Sequence, residues 1–156
     1  MHNRKTNFFL IAALASTALI GCKSDGGSDA STGGGELAKP VMIGERVNGS
    51  SAALKTIGTY HIETEAQYDA LGDADIFPGG LDFGEYDLVI VALGEQPTGG
   101  YAVNIESIQL VGGELAVTGK ASAPGEDDVV TQALTYPYSA VSIPNTEADE
   151  VVPYID

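Results

Sequence analysis

Six consecutive apolar residues, Leu88 to Leu93, stand between Asp87 and Gly94, and Val89, Ile90 and Val91 among them are β-branched. A half-buried strand alternates apolar and polar residues, whereas an unbroken run of this length suits a central strand covered on both faces. That requirement narrows the fold more than any other feature of the chain.

The sequence around it keeps to the same class. Tyr101, Val103 and Ile105 alternate with Ala102, Asn104 and Glu106, as on a half-buried strand. The apolar phase then moves to Ile108 and Leu110, which predicts a β-bulge near Glu106 and Ser107. Gly112-Gly113 can supply the positive φ of a tight hairpin leading back into Leu115 and Val117. Pro124-Gly125 ends that strand, and Glu126-Asp127-Asp128 forms an acidic tip. Val129 to Tyr136 and Tyr138 to Ile143 read as two further strands, interrupted by Pro137, which has no amide hydrogen for a ladder. The tail from Asn145 is acidic until Val151, Val152 and Ile155. One helix is signalled: Thr64-Glu65-Ala66-Gln67 fits a capping box, Tyr68 and Leu71 share a face, and Gly72 is a stop. Asp73 to Gly84 reads as a Pro/Gly loop, and the stretch from Val41 to Val47 has too little periodicity to assign. The expected fold is therefore mainly β, a small antiparallel sandwich-like domain with one short α-helix.

The N-terminal part predicts where that domain works. Arg4 and Lys5 precede an apolar run from Phe8 to Ile20, and Leu19-Ile20-Gly21-Cys22 closes it around the only cysteine. As a helix the run would measure about 20 Å against a hydrocarbon core of roughly 30 Å, so cleavage is expected rather than spanning. The ending resembles the lipobox of bacterial lipoproteins. The resemblance implies a signal peptide over residues 1–21, lipid attachment at Cys22 and cleavage just before it. It places the chain outside the cytoplasm, with Lys23 favouring the outer membrane, on its periplasmic or surface face. Residues 22–39 would form a flexible tether rich in Gly, Ser and Asp, and residues 40–156 the folded domain. Seven basic against 22 acidic residues give −15, and loss of Arg4 and Lys5 with the leader takes the mature chain to −17. Such a surface repels phosphates, which excludes nucleic acid and a polybasic membrane contact.

Catalytic chemistry has few candidates. His61 is the one histidine left after cleavage, no free thiol remains beside a lipidated Cys22, and no Gly-x-Ser-x-Gly elbow occurs. A surface or hydrogen-bonded structural role for His61 is the favoured reading, and no enzyme activity or cofactor is expected. Zinc fails on ligand count. Calcium has hard oxygen ligands at Asp73, Asp75 and Asp82, or at Glu126, Asp127 and Asp128, but neither set has EF-hand spacing. Solvated loops are preferred, with no metal assigned, and carboxylate pairs of glycosidase type carry no specificity in so acidic a chain.

Two segments have the chemistry of a binding surface. Gln96-Pro97-Thr98-Gly99-Gly100-Tyr101 places a Pro/Gly loop before a strand, and Thr135-Tyr136-Pro137-Tyr138 sets two tyrosines about a proline. Stiff loops offering Tyr, Pro and Gly gain contact area at low entropic cost. The competing reading is a β-hairpin with a Gly-rich turn and half-buried tyrosines.

Asp82-Phe83, the apolar strand ending at Gly94, Pro97-Thr98-Gly99-Gly100-Tyr101, Leu115, Val117, Pro124, Thr135-Tyr136-Pro137-Tyr138 and Ile143-Pro144 resemble, in this order, the C-terminal domain of the PrcB family. The likeness covers residues 62–144. It implies a lipoprotein-type partner that stabilises a secreted or cell-envelope protease complex, with Pro97, Thr98, Gly99, Gly100, Tyr101, Thr135, Tyr136, Pro137 and Tyr138 as the protein-binding residues. A weaker likeness is to chagasin-type protease inhibitors, which insert an Asn-Pro-Thr-Thr-Gly-Tyr loop and an Arg-Pro-aromatic loop into a protease cleft. The asparagine, second threonine and arginine are absent here. A loop-wedge inhibitor and a small-ligand or envelope-structure lipoprotein therefore stand as the alternatives to a complex subunit.

Overall fold

The computed structural model describes residues 37–156, apart from the side chain of Ala74. The expected leader, Cys22 and the tether up to residue 36 lie outside the described residues. Among the described residues, eight strands form two four-stranded sheets: β1 (Lys39–Val41), β2 (Arg46–Ser50), β3 (Ile57–Ile62), β4 (Tyr86–Leu93), β5 (Ala102–Val111), β6 (Glu114–Ser122), β7 (Pro137–Pro144) and β8 (Glu150–Ile155). One sheet has the order β1-β5-β6-β8 and the other β2-β7-β4-β3.

The apolar run is β4, paired on one side with β3 and on the other with β7. Its two faces enter two different cores. Val89 and Val91, with Val141 and Ile143 of β7, meet Val103, Ile105, Ile108, Leu115 and Val117 of the opposite sheet. Leu88, Ile90 and Ala92, with Tyr138 and Ala140, pack instead beneath Leu54, Ile62, Ile76 and Phe77. The second sheet is thus covered on both sides, which is why β4 is apolar without alternation from Leu88 to Leu93 and β7 is buried from Pro137 to Ile143, Ser139 and Ser142 included. The first sheet packs on one face only, and β5 and β6 alternate accordingly.

Local signals in the sequence match what forms. The register shifts between Ile105 and Ser107, at the predicted bulge. Gly112 and Gly113 take φ of +59° and +85° in the hairpin between β5 and β6. Thr64 caps α1 (Glu65–Asp69), and its oxygen accepts from the Gln67 amide while the Gln67 side chain accepts from the Thr64 amide.

Three expectations are corrected. Val129 to Tyr136 is not a strand: it carries the chain from the end of β6 in one sheet to β7 in the other, so it meets no ladder and pairs only through a Gln96–Thr135 bridge. Pro137 does not interrupt a strand but begins one, opposite Ser50 of the edge strand β2. The domain is not wholly antiparallel, since β8 from the acidic tail runs parallel to β6.

The Asp73–Gly84 segment is more than a surface loop. A 3-10 turn at Ala74–Ile76 drives Ile76 and Phe77 into the outer core, where the Phe77 amide donates to the Tyr68 hydroxyl at 2.9 Å. Asp73 ties this layer down, accepting from the Ser51 hydroxyl and, at 3.0 Å, from the Asp75 amide. The Ser51 hydroxyl first, and then the Asp75 amide, hold its carboxyl below the ordinary range. A carboxylate made more acidic by folding stabilises the fold above its unfolded value, near pH 4, and that contribution is lost as pH falls through the lower folded value. Asp73→Asn should therefore flatten the acid limb of a stability-versus-pH profile below about pH 4. An unchanged limb would remove Asp73 from the account.

Candidate docking surface

β4 and β6 both end at the same pole of the sandwich, and the segments leaving them, 94–101 and 123–136, meet there. Gly94 makes the first turn with φ +69°. The Gln96 amide then donates to the Thr135 carbonyl at 2.8 Å, and the Thr135 amide returns to the Gln96 carbonyl at 3.0 Å. The Gln96 side chain donates to the Leu93 carbonyl, 2.9 Å away. Thr135 Oγ1 donates to the Thr98 carbonyl at 2.7 Å, and the Gly99 amide to the Thr131 carbonyl at 3.0 Å. Backbone polar groups in both segments are therefore spent on each other, and the loops form one unit.

Glycine is required where they cross. Gly100 has φ +88°, and a Cβ there would stand 2.9 Å from Pro124 Cβ and 3.0 Å from Val130 Cγ1. Gly100→Ala should cost about 1–3 kcal/mol for the left-handed backbone alone. The urea midpoint reads that cost, and hydrogen exchange at the Gln96 and Gly99 amides reads the separation of the loops. Unchanged protection at both amides would mean that the crossing does not hold the loops together.

The segment 94–101 links β4 of one sheet to β5 of the other, so it is a crossover between sheets rather than the hairpin of the competing reading. Pro97 and Gly100 are exposed, while Thr98, Gly99, Tyr101, Thr135 and Tyr136 are half-buried. Tyr136 is fixed on both sides: its amide donates to Ser50 Oγ at 2.8 Å and its carbonyl accepts from the Ser51 amide at 3.1 Å. Its hydroxyl donates to Glu95 Oε2 at 3.1 Å, and the carboxylate accepting that proton raises the hydroxyl above its ordinary range.

Pro137 and Tyr138 do not join this surface. Tyr138 is 5% exposed, its hydroxyl donates to the Ile76 carbonyl at 2.9 Å, and burial followed by the charge of Asp73 raises its pKa. The cause is strand parity: β7 lies between β2 and β4, both of its faces are packed, and the ring at position 138 is turned into the outer core. Sequence reasoning also missed exposed members of the same pole. Val129 is fully exposed and Leu134 is 57% exposed, and the signal was large apolar side chains following the acidic run Glu126-Asp127-Asp128.

Elsewhere several titratable groups are held in structural contacts. His61 Nε2 lies 3.1 Å from Asp87 Oδ2, which also accepts from the Thr146 amide at 2.8 Å, so the histidine joins β3 to β4 as a hydrogen-bonded structural residue. Asp82 Oδ1 accepts from the Gly84 amide and Asp128 Oδ2 from the Gly125 amide, each closing its own turn. Among the described residues no group of three or more His, Cys, Asp or Glu is placed to hold a metal ion. Where β3 and β8 face each other, a cleft of about 390 Å³ opens between Ile57, Thr59, Leu93, Ala121 and Ile155. Its lining lacks the convergent polar groups that orient a small ligand.

Residues 88–144 match the family model described as PrcB C-terminal, a span that runs from β4 through β7 and contains both joined loops. No curated protein and no solved structure matches the chain.

Proposed function

We propose, from the match of residues 88–144 to the family model described as PrcB C-terminal, that the chain is a non-catalytic, extracytoplasmic subunit that docks on a secreted or cell-envelope protease and stabilises the complex. The observation that carries this is the pairing of Gln96 with Thr135, which makes one rigid surface of the two loops. Preorganised loops of this kind lose little entropy on binding. The working set on this surface is Pro97, Thr98, Gly99, Gly100, Tyr101, Thr135 and Tyr136, with Tyr138 acting beneath it as a support.

Anchoring at Cys22 completes the proposal. Lys39 pairs with Leu110 near the far end of β5, while the loops leave from the end near Ala102. At ~3.3 Å per residue the docking end stands roughly 25 Å from the strand by which the chain enters the domain. The chain therefore enters the domain at the end of β5 away from the loops.

An inhibitor of chagasin type is the second reading, because such a wedge also needs two loops side by side. The aromatic residue that should follow the proline of its second loop is Tyr138, and that ring is inside. A subunit role is the better fit.

The test places a photo-reactive benzophenone amino acid at Ala133, an exposed position among the loops, in the full-length chain within its own cell envelope. A control carries it at Thr118, exposed on the outer sheet. An adduct at Ala133 containing a secreted protease, absent from the Thr118 control, is the expected result. Protease activity that persists in the adduct-forming complex favours the subunit, and its loss the inhibitor. No protease adduct at Ala133 would overturn both. Cys22→Ser should release the protein from the membrane fraction or leave it uncut, and continued membrane retention of a processed chain would overturn the anchor.

A further inference from the structure

The docking pole combines exposed apolar side chains with an unbalanced acidic rim. Val129 and Leu134 lie two residues and one residue before Thr131 and Thr135, where the backbone is bonded to the first loop, and Pro97 lies exposed beside Gln96. Val129 is fully exposed and Leu134 is 57% exposed. Single exposed apolar residues are ordinary, and here three of them, Pro97, Val129 and Leu134, lie on the two joined loops, beside the loops' own carboxylates.

Charge around them is one-sided. Glu95, Glu126, Asp127 and Asp128 belong to the two loops, which contain no basic residue. The neighbouring segments bring Asp73 and Asp75 through the Ser51 contact, against Lys55, whose carbonyl accepts from the Glu95 amide, and Lys120 near the end of β6. No described carboxylate of this pole is paired with a lysine or arginine, since the described salt bridges comprise His61 with Asp87 at the opposite end of β4. Glu126 and Asp127 make no described hydrogen bond or ion pair and are open to a partner's cations, while Glu95 and Asp128 each accept one internal hydrogen bond and keep acceptor capacity.

From this combination we infer that the loop pole docks on a protein surface with an apolar recess at its centre and lysine or arginine side chains around it. The inference rests on the docking role proposed above and names the chemistry of the partner's face. The apolar residues supply the area removed from water, while the rim sets orientation and speeds encounter. Because the rim charges are exposed, their effect is screened over about 8 Å at physiological ionic strength and shrinks as salt rises.

The Ala133 photo-crosslink measures this. Neutralising the rim with Glu95→Gln, Glu126→Gln and Asp127→Asn together should lower adduct yield about tenfold at low salt. A change of wild-type buffer from about 50 mM to 500 mM sodium chloride should do much the same. Glu95→Gln keeps an acceptor for Tyr136, and neither Glu126 nor Asp127 closes the turn that Asp128 closes. Val129→Ser with Leu134→Ser should reduce yield at both salt concentrations. Glu147→Gln with Glu150→Gln, at the opposite pole, should leave it unchanged. A protease adduct whose yield ignores rim charge and salt would overturn the basic-surface inference while leaving the docking role standing. An equal loss from the opposite-pole variant would overturn it as a general effect of net charge. Absence of any adduct would overturn the docking role and this inference with it.

Discussion

Tyr138→Ala is expected to destabilise the domain by about 3–5 kcal/mol, the cost of a large aromatic truncation in a packed core. The ring is almost wholly buried, and Gly49 on the neighbouring strand leaves room for it: a Cβ at Gly49 would stand 2.8 Å from the Tyr138 hydroxyl oxygen and 3.0 Å from ring carbons. Tyr138→Phe separates packing from hydrogen bonding. It should cost about 1–2 kcal/mol, because the buried Ile76 carbonyl loses its donor. Urea unfolding measures both. If Tyr138→Ala instead unfolds like the wild type and loses only partner binding, the ring is a contact residue and the outer core has been misassigned.

Phe77→Ala should have a comparable effect, about 3–5 kcal/mol. Phe77 is 1% exposed in a segment whose Pro, Gly and Asp content reads as solvated loop. In a loop of that kind the same change would fall within roughly 0.5 kcal/mol. The two outcomes differ enough for a single thermal or urea melt to decide. A small effect would mean that the second sheet is open on its outer face and that the apolar run of β4 has no covering layer. The two substitutions also bear on function, since Tyr138 and Phe77 both support the sheet from which the loop pole rises. Each should weaken docking only in proportion to the unfolded fraction.

Local instructions were legible in the residues themselves. The unbroken run at Leu88–Leu93, the phase change after Ile105, the Gly112-Gly113 turn and the capping box at Thr64 each act within a few positions, through side-chain parity, backbone freedom or a neighbouring amide. The two loops of this pole could be singled out for the same reason, because their Pro, Gly and Tyr content is local chemistry. Which of their residues face outward could not be read. Tyr138 and Tyr136 are two positions apart, yet β7 carries one into the outer core while Ser50 and Ser51 hold the other at the surface. The bridge between Gln96 and Thr135 joins segments almost forty residues apart through backbone atoms, which leave no mark on side-chain pattern. The edge strands β2 and β8 were hidden for a related reason, since each is defined by the neighbour it pairs with and not by its own periodicity. Phe77 needed the whole sheet beneath it before its place was decided. Composition and short-range pattern determine that this chain builds a β sandwich with one strand buried on both faces and a Pro/Gly-rich, acidic loop end; long-range pairing alone decides which side chains that end presents.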